Sequence, residues 1–118
     1  MSRTLLLTPE ERQLLHEALG YMGRRFRDPQ DSELILEIEA RLDQSRREAD
    51  PHGQHRVPLE AAHRQVLKRV IASYTSEIDV PSSDRSNRLL ANKLRVIAQR
   101  LDRRRPLLDR IRHWIQGR

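Results

Sequence analysis

Two histidines, His52 and His55, with Asp50 just ahead of them, come nearest in this chain of 118 residues to a metal-ligand spacing. A zinc site needs three or four preorganised nitrogen, sulfur or carboxylate ligands. The chain has no cysteine, and the stretch QSRREADPHGQ around the pair carries Asp50-Pro51 and Gly53, the residues of a loop. The pair therefore reads as solvated, and no metal or cofactor is expected. Glu33, Glu37, Glu39 and Arg41 share one predicted helix, with Glu33/Glu37 a like-charge and Glu37/Arg41 a favourable pair one turn apart. They read as a solvated face, because a di-metal carboxylate bundle needs a pair of inward Glu-x-x-His motifs, which the sequence does not supply. His63 and His113 stand among arginines with no carboxylate placed to make either a general base. His16 falls off the apolar stripe and reads as a surface residue. Without thiols, a glycine-rich phosphate loop, Gly-x-Ser-x-Gly or His-Glu-x-x-His, the expectation is a protein without catalytic activity.

Binding chemistry is better represented. The formal net charge is +6, and 21 of the 23 basic residues are arginine. Residues 100–118 hold seven arginines and two aspartates, +5, whereas residues 1–99 come to +1. Arg103, Arg104, Arg105, Arg110 and Arg112 suit phosphate contacts, since guanidinium is planar and bidentate. Leu107, Leu108, Ile111, Trp114 and Ile115 share one face of the same segment. Trp114, flanked by Ile111 and Ile115, is the candidate anchor of a protein contact. A helix-turn-helix over residues 78–90, presenting Ser83, Arg85, Ser86 and Arg88, fits poorly. The first turn of its second helix, Asp84-Arg85-Ser86-Asn87, has no apolar residue to pack on a partner helix.

These residues are positioned by helices. Leu, Ile, Val and Phe make up about a quarter of the chain, above the roughly one fifth at which chains stay unfolded. Thr8 caps a first helix with Pro9 at its start and Glu11 completing a capping box. Leu14, Leu15, Ala18, Leu19, Met22 and Phe26 form its stripe, to about Arg27. Asp28 and Pro29 open a second helix with Leu34, Ile35, Ile38 and Leu42. Residues 44–57 read as the loop, and Pro58 as a helix start ahead of Leu59, Ala62, Val66, Val70, Ile71, Tyr74 and Ile78. After Pro81-Ser82-Ser83 a fourth helix buries Leu90, Leu94, Ile97, Ala98 and Leu101, and Pro106 ends it. Leu5-Leu6-Leu7 and Arg56-Val57 are the only hints of extended chain.

The halves resemble one another. Arg12-Gln13-Leu14-Leu15 matches Arg64-Gln65-Val66-Leu67 at an offset of 52, and Ile38 to Asp43 matches Ile97 to Asp102 at an offset of 59. The expected fold is all-α and single-domain over 1–118. It is a four-helix bundle of two pseudo-repeated hairpins, 8–43 and 58–102, plus a basic amphipathic C-terminal helix over 106–116. Gly20, opposite Ala72 in the repeat, marks either a close helix crossing or a merely tolerated position. No apolar run is long enough to span a membrane, and Arg3 with three leucines makes no signal peptide. The reading is a cytoplasmic binding or scaffolding protein acting through protein–protein contacts, with a partner or a second copy as a homodimer. The alternative is nucleic-acid binding through the C-terminal arginines.

Overall fold

A computed structural model describes residues 3–49, 53–79 and 84–102. Among them, strand–helix–helix occurs twice: β1 (Arg3–Leu7), α1 (Pro9–Met22), α2 (Pro29–Arg47), then β2 (His55–Leu59), α3 (Ala61–Ile78), α4 (Arg85–Asp102). The fold is thus mostly helical, with one small sheet that the all-helical expectation left out. β1 and β2 pair antiparallel, from Arg3 opposite Leu59 to Leu7 opposite His55, with Leu5 opposite Val57 at the centre. Alternation puts Leu5, Leu7, His55, Val57 and Leu59 inside and Thr4, Leu6, Arg56 and Pro58 outside. A two-stranded ribbon is marginal in water by itself, and here its inner face is covered by the helices.

Each strand runs into a helix through one residue. Thr8 is extended and accepts a hydrogen bond from the Glu11 N–H at 3.1 Å, while its own N–H donates to Glu11 Oε1 at 3.0 Å. This is the expected capping box, with Pro9 at the first position, where a missing donor costs nothing. Glu60 stands at the same place before α3, and its N–H donates to His63 Nδ1 at 3.2 Å. Asp28 caps α2 by accepting from the Gln30 N–H at 2.8 Å, ahead of Pro29 as expected.

The core is aliphatic. Leu15, Leu19, Ile38, Leu42, Val66, Leu67, Val70, Ile71, Leu94 and Ile97 are almost wholly buried, with Leu7, Val57 and Leu59 beneath them from the sheet. Such side chains stabilise by roughly 1.5–3 kcal/mol each. Ion pairs close the outer seams. Asp31 on α2 takes both Arg69 nitrogens, at 2.7 and 3.0 Å, and Arg69 also lies over the Phe26 ring. Arg25 pairs with Glu77 where α1 and α3 end, beside the edge-to-face rings of Tyr21 and Tyr74.

Several expectations are corrected. The loop over 44–57 is shorter at both ends, because α2 continues to Arg47 and β2 takes residues 55–59. Pro58 is in that strand, not at a helix start. It lacks a donor but its carbonyl still accepts from Arg41 Nη1 at 2.8 Å. The first helix ends at Met22, and a short 3-10 turn, Gly23–Arg25, replaces its last turn. His55 is buried in the sheet rather than solvated. The fifth helix over 106–116 lies outside the described residues.

Gly20 marks no close crossing: a Cβ there would meet nothing within 4 Å. Helix propensity alone then decides the outcome of Gly20→Ala. It should stabilise the protein by about 0.5–1 kcal/mol, measured by urea denaturation. An overcrowded helix seam at this position would reverse that sign.

Candidate functional site

Two places on the molecule gather chemistry-bearing groups. The first is built around His63, in the first turn of α3. Its ring is buried, with Nε2 2.7 Å from Glu37 Oε2 on α2 and Nδ1 2.6 Å from Glu60 Oε2. Arg41, one turn beyond Glu37, places Nη1 2.8 Å from Glu60 Oε2. The hydrogen bond from Arg41 holds the Glu60 carboxyl below its ordinary range, against a smaller opposing effect of desolvation. Nδ1 serves the Glu60 N–H when bare and the Glu60 carboxylate when it carries a proton; either way it binds His63 to the cap of α3.

This overturns two sequence readings. His63 does have fixed carboxylate partners, and Arg41 reaches the β2–α3 junction instead of pairing with Glu37 along the helix. Glu37 lies 26 positions from His63 and Arg41 lies 19 from Glu60, beyond the reach of helix periodicity; only Glu60, three positions before His63, was a local signal. A histidine between two carboxylates is the wiring of an acid–base relay, yet the cavities along α1, α4 and β1 described below are lined by neither His63 nor its two carboxylates. The cluster's evident work is to clasp α2 to the head of α3.

The second place is a groove of about 660 Å³ between the start of α1 and the middle of α4. Thr8, Pro9, Glu10, Glu11, Gln13, Leu14 and Glu17 line one wall, and Leu90, Lys93 and Val96 the other. Its floor is apolar. Leu14 is buried, Leu90 is half-buried, and Val96 is 46% exposed although aliphatic. Glu10 and Glu17 leave the α1 wall acidic. At one end Arg100 Nη1 reaches Glu11, 2.9 Å from Oε1 and 2.8 Å from Oε2. Beside it, two smaller cavities of about 60 and 90 Å³ separate α4 from β1 around Arg3, Arg64 and Leu101. Sequence reasoning missed the groove. The signal is Val96, an aliphatic residue that falls off the inward stripe of α4.

The other sequence candidates fare unevenly. Arg103, Arg104, Arg105, Arg110, Arg112, Ile111, Trp114 and Ile115 all lie outside the described residues, as do His52 and Ser83. Arg85, Ser86 and Arg88 are exposed at the head of α4. His16 is half-buried, with Nε2 3.7 Å from Asp43. No group of three or more possible metal ligands occurs among the described residues. No helix among them is long and apolar enough to cross a membrane. Compared with protein-family models, curated proteins and solved structures, the chain matches none.

The Glu11 carboxyl is held below its ordinary range. Its burial, which alone would raise it, is outweighed by hydrogen bonds from Arg100 and Thr8 together with the Arg100 charge. A carboxyl lowered on folding adds stability above its unfolded pKa, about 4.3, and loses it as pH falls through the folded value. Glu11→Gln keeps the capping box but removes the charge paired with Arg100, and should therefore cost up to about 1 kcal/mol at pH 7. The gap to the parent protein should close at pH values below about 4. Urea unfolding of both proteins at neutral and acid pH checks this, and a gap that widens in acid contradicts it.

Proposed function

We propose that the chain is a fused pair of strand–helix–helix units that works without catalysis, as a binding protein whose α1/α4 groove accepts a cationic amphipathic helix from a protein partner. The observation that carries this reading is the contrast between that groove and its counterpart on the other side of the molecule.

The pairing supports the repeat. Shifting β1 by 52 positions gives β2, and the same shift turns each pair of the ladder into another pair of the same ladder. Leu5 and Val57 exchange places, which puts a pseudo-two-fold axis through them. Arg25 and Glu77, also 52 apart, meet each other. Arg41 and Arg100, 59 apart, each reach back to the head of the helix that follows a strand. Likewise Asp43 lies beside His16 and Asp102 beside Lys68, and both members of these pairs correspond.

On this correspondence the two seams diverge. Between α2 and α3, Glu37 meets His63 and Asp31 meets Arg69. The equivalent positions between α4 and α1 are Val96 with Glu11 and Leu90 with Glu17. Where one seam has acid opposite base, the other has aliphatic opposite acid. The change removes those two pairs from the second seam, which keeps only Arg100–Glu11 at one end among the described residues, and leaves an apolar floor beside carboxylates. A helix with an apolar face and flanking arginines complements both features. By contrast, in the His63 cluster, the best acid–base arrangement among the described residues, the ring is buried and both its nitrogens are already partnered.

A fluorescent model helix, with leucines one turn apart and arginines flanking them, tests the reading when titrated into the full chain. It should bind, and an otherwise identical peptide with glutamate in place of arginine should not. Val96→Glu should weaken binding at least about tenfold, the equivalent of about 1.4 kcal/mol. Equal binding of both peptides, or indifference to Val96→Glu, would overturn the proposal.

A further inference from the structure

Resting on that reading of the groove, we infer that until a partner helix displaces it the groove is occupied by this same chain: residues 106–116 dock between α1 and α4. Leu107, Leu108, Ile111, Trp114 and Ile115 recur with the spacing of one helix face, and Arg110 and Arg112 fall beside it. That is the chemistry the groove selects, apolar against Leu14, Leu90 and Val96 and basic against Glu10 and Glu17.

Chain geometry permits the return. α4 ends at Asp102, and its groove-lining residues Val96, Lys93 and Leu90 lie on successive turns leading back from that end. Proline at 106 disfavours helix at the residue before it and lacks a donor, so a reversal there would let the segment run antiparallel to α4. At about 1.5 Å per residue, positions 107–115 span roughly 12 Å as a helix, slightly more than α4 from Leu90 to Val96. A linker of a few residues holds the segment near the groove at an effective concentration in the millimolar range, so modest contacts suffice to keep it there. The other seam offers no equivalent berth, because the Glu37–His63 and Asp31–Arg69 pairs close it.

Trp114 is the only tryptophan in the chain, which makes its fluorescence a direct probe in the intact protein. In the parent protein its emission should be blue-shifted and poorly quenched by iodide or acrylamide. Val96→Glu and Leu90→Glu should move emission to the red and raise the quenching constant several-fold, with far-UV circular dichroism still helical. Ile111→Asp, in the segment itself, should do the same. It should also tighten binding of the arginine-bearing model helix, since the groove is then free. Leu36→Glu, at an exposed site on α2, is the control and should change neither. A quenching constant that stays constant on hundredfold dilution supports docking within one chain; one that rises places the segment on a second copy and overturns the inference. Free Trp114 in the parent protein also overturns it, while binding of the model helix would still stand. A shielded Trp114 indifferent to both groove variants puts the segment elsewhere and equally overturns it.

Discussion

Everything in this fold hangs on the antiparallel pairing of two five-residue strands whose members lie about fifty positions apart. The ribbon fixes where both α1 and α3 begin, because one cap residue separates each strand from its helix. It also fixes their facing sides, since Leu5, Leu7, Val57 and Leu59 project into the core that those helices share. A slip of one residue would turn every inward strand side chain outward. Burial of the alternating leucines makes such a slip expensive, so the register and the helix arrangement specify one another.

The second level of organisation is polar. Each strand–helix junction is clasped by an arginine from the last helix of the opposite half, Arg41 at Glu60 and Arg100 at Glu11. Exposed ion pairs contribute little individually, typically below about 1 kcal/mol. Their use here is directional: they hold the tail of one hairpin to the head of the other and choose one packing among several that an aliphatic core would tolerate. The buried imidazole of His63 belongs to the same scheme. It has the equipment of a catalytic group but is enclosed by the groups it serves.

How far the sequence revealed this depended on the range of the interaction. The Thr8 capping box and the Asp28-Pro29 start are local chemistry and stand where their residues predict. The inward stripes of α1, α2 and α4 are likewise periodic and legible. Pro58 misled, because proline signals helix starts and edge strands alike, and only its partner Thr4 decides between them. Val57 and Leu7 gave only faint strand signals, since five-residue elements carry too few alternations to outweigh neighbouring helices. Glu37 and His63 share no short-range pattern at all. The groove was hidden for a further reason: among the described residues it is defined by a gap over Leu90 and Val96, and a gap leaves no periodic mark.

The long separation between the strands also shapes how the molecule is made. A ribosome adds roughly 5–20 residues per second, so β1 waits several seconds before any of β2 exists to pair with it. During that interval Leu5 and Leu7 belong to an unpaired, apolar strand edge, the kind of surface that seeks another chain. α1 and α2 have meanwhile been synthesised, but the sheet beneath them is incomplete. Closure joins the two ends of a segment about fifty residues long, a non-local step of the sort that slows folding. Two nascent copies on one message therefore present matching strands to each other: β1 of one chain meets the same register in β2 of its neighbour as in its own. The arrangement that unites the two halves within a chain is thus equally an invitation to exchange them between chains, and local chain concentration decides between the two results.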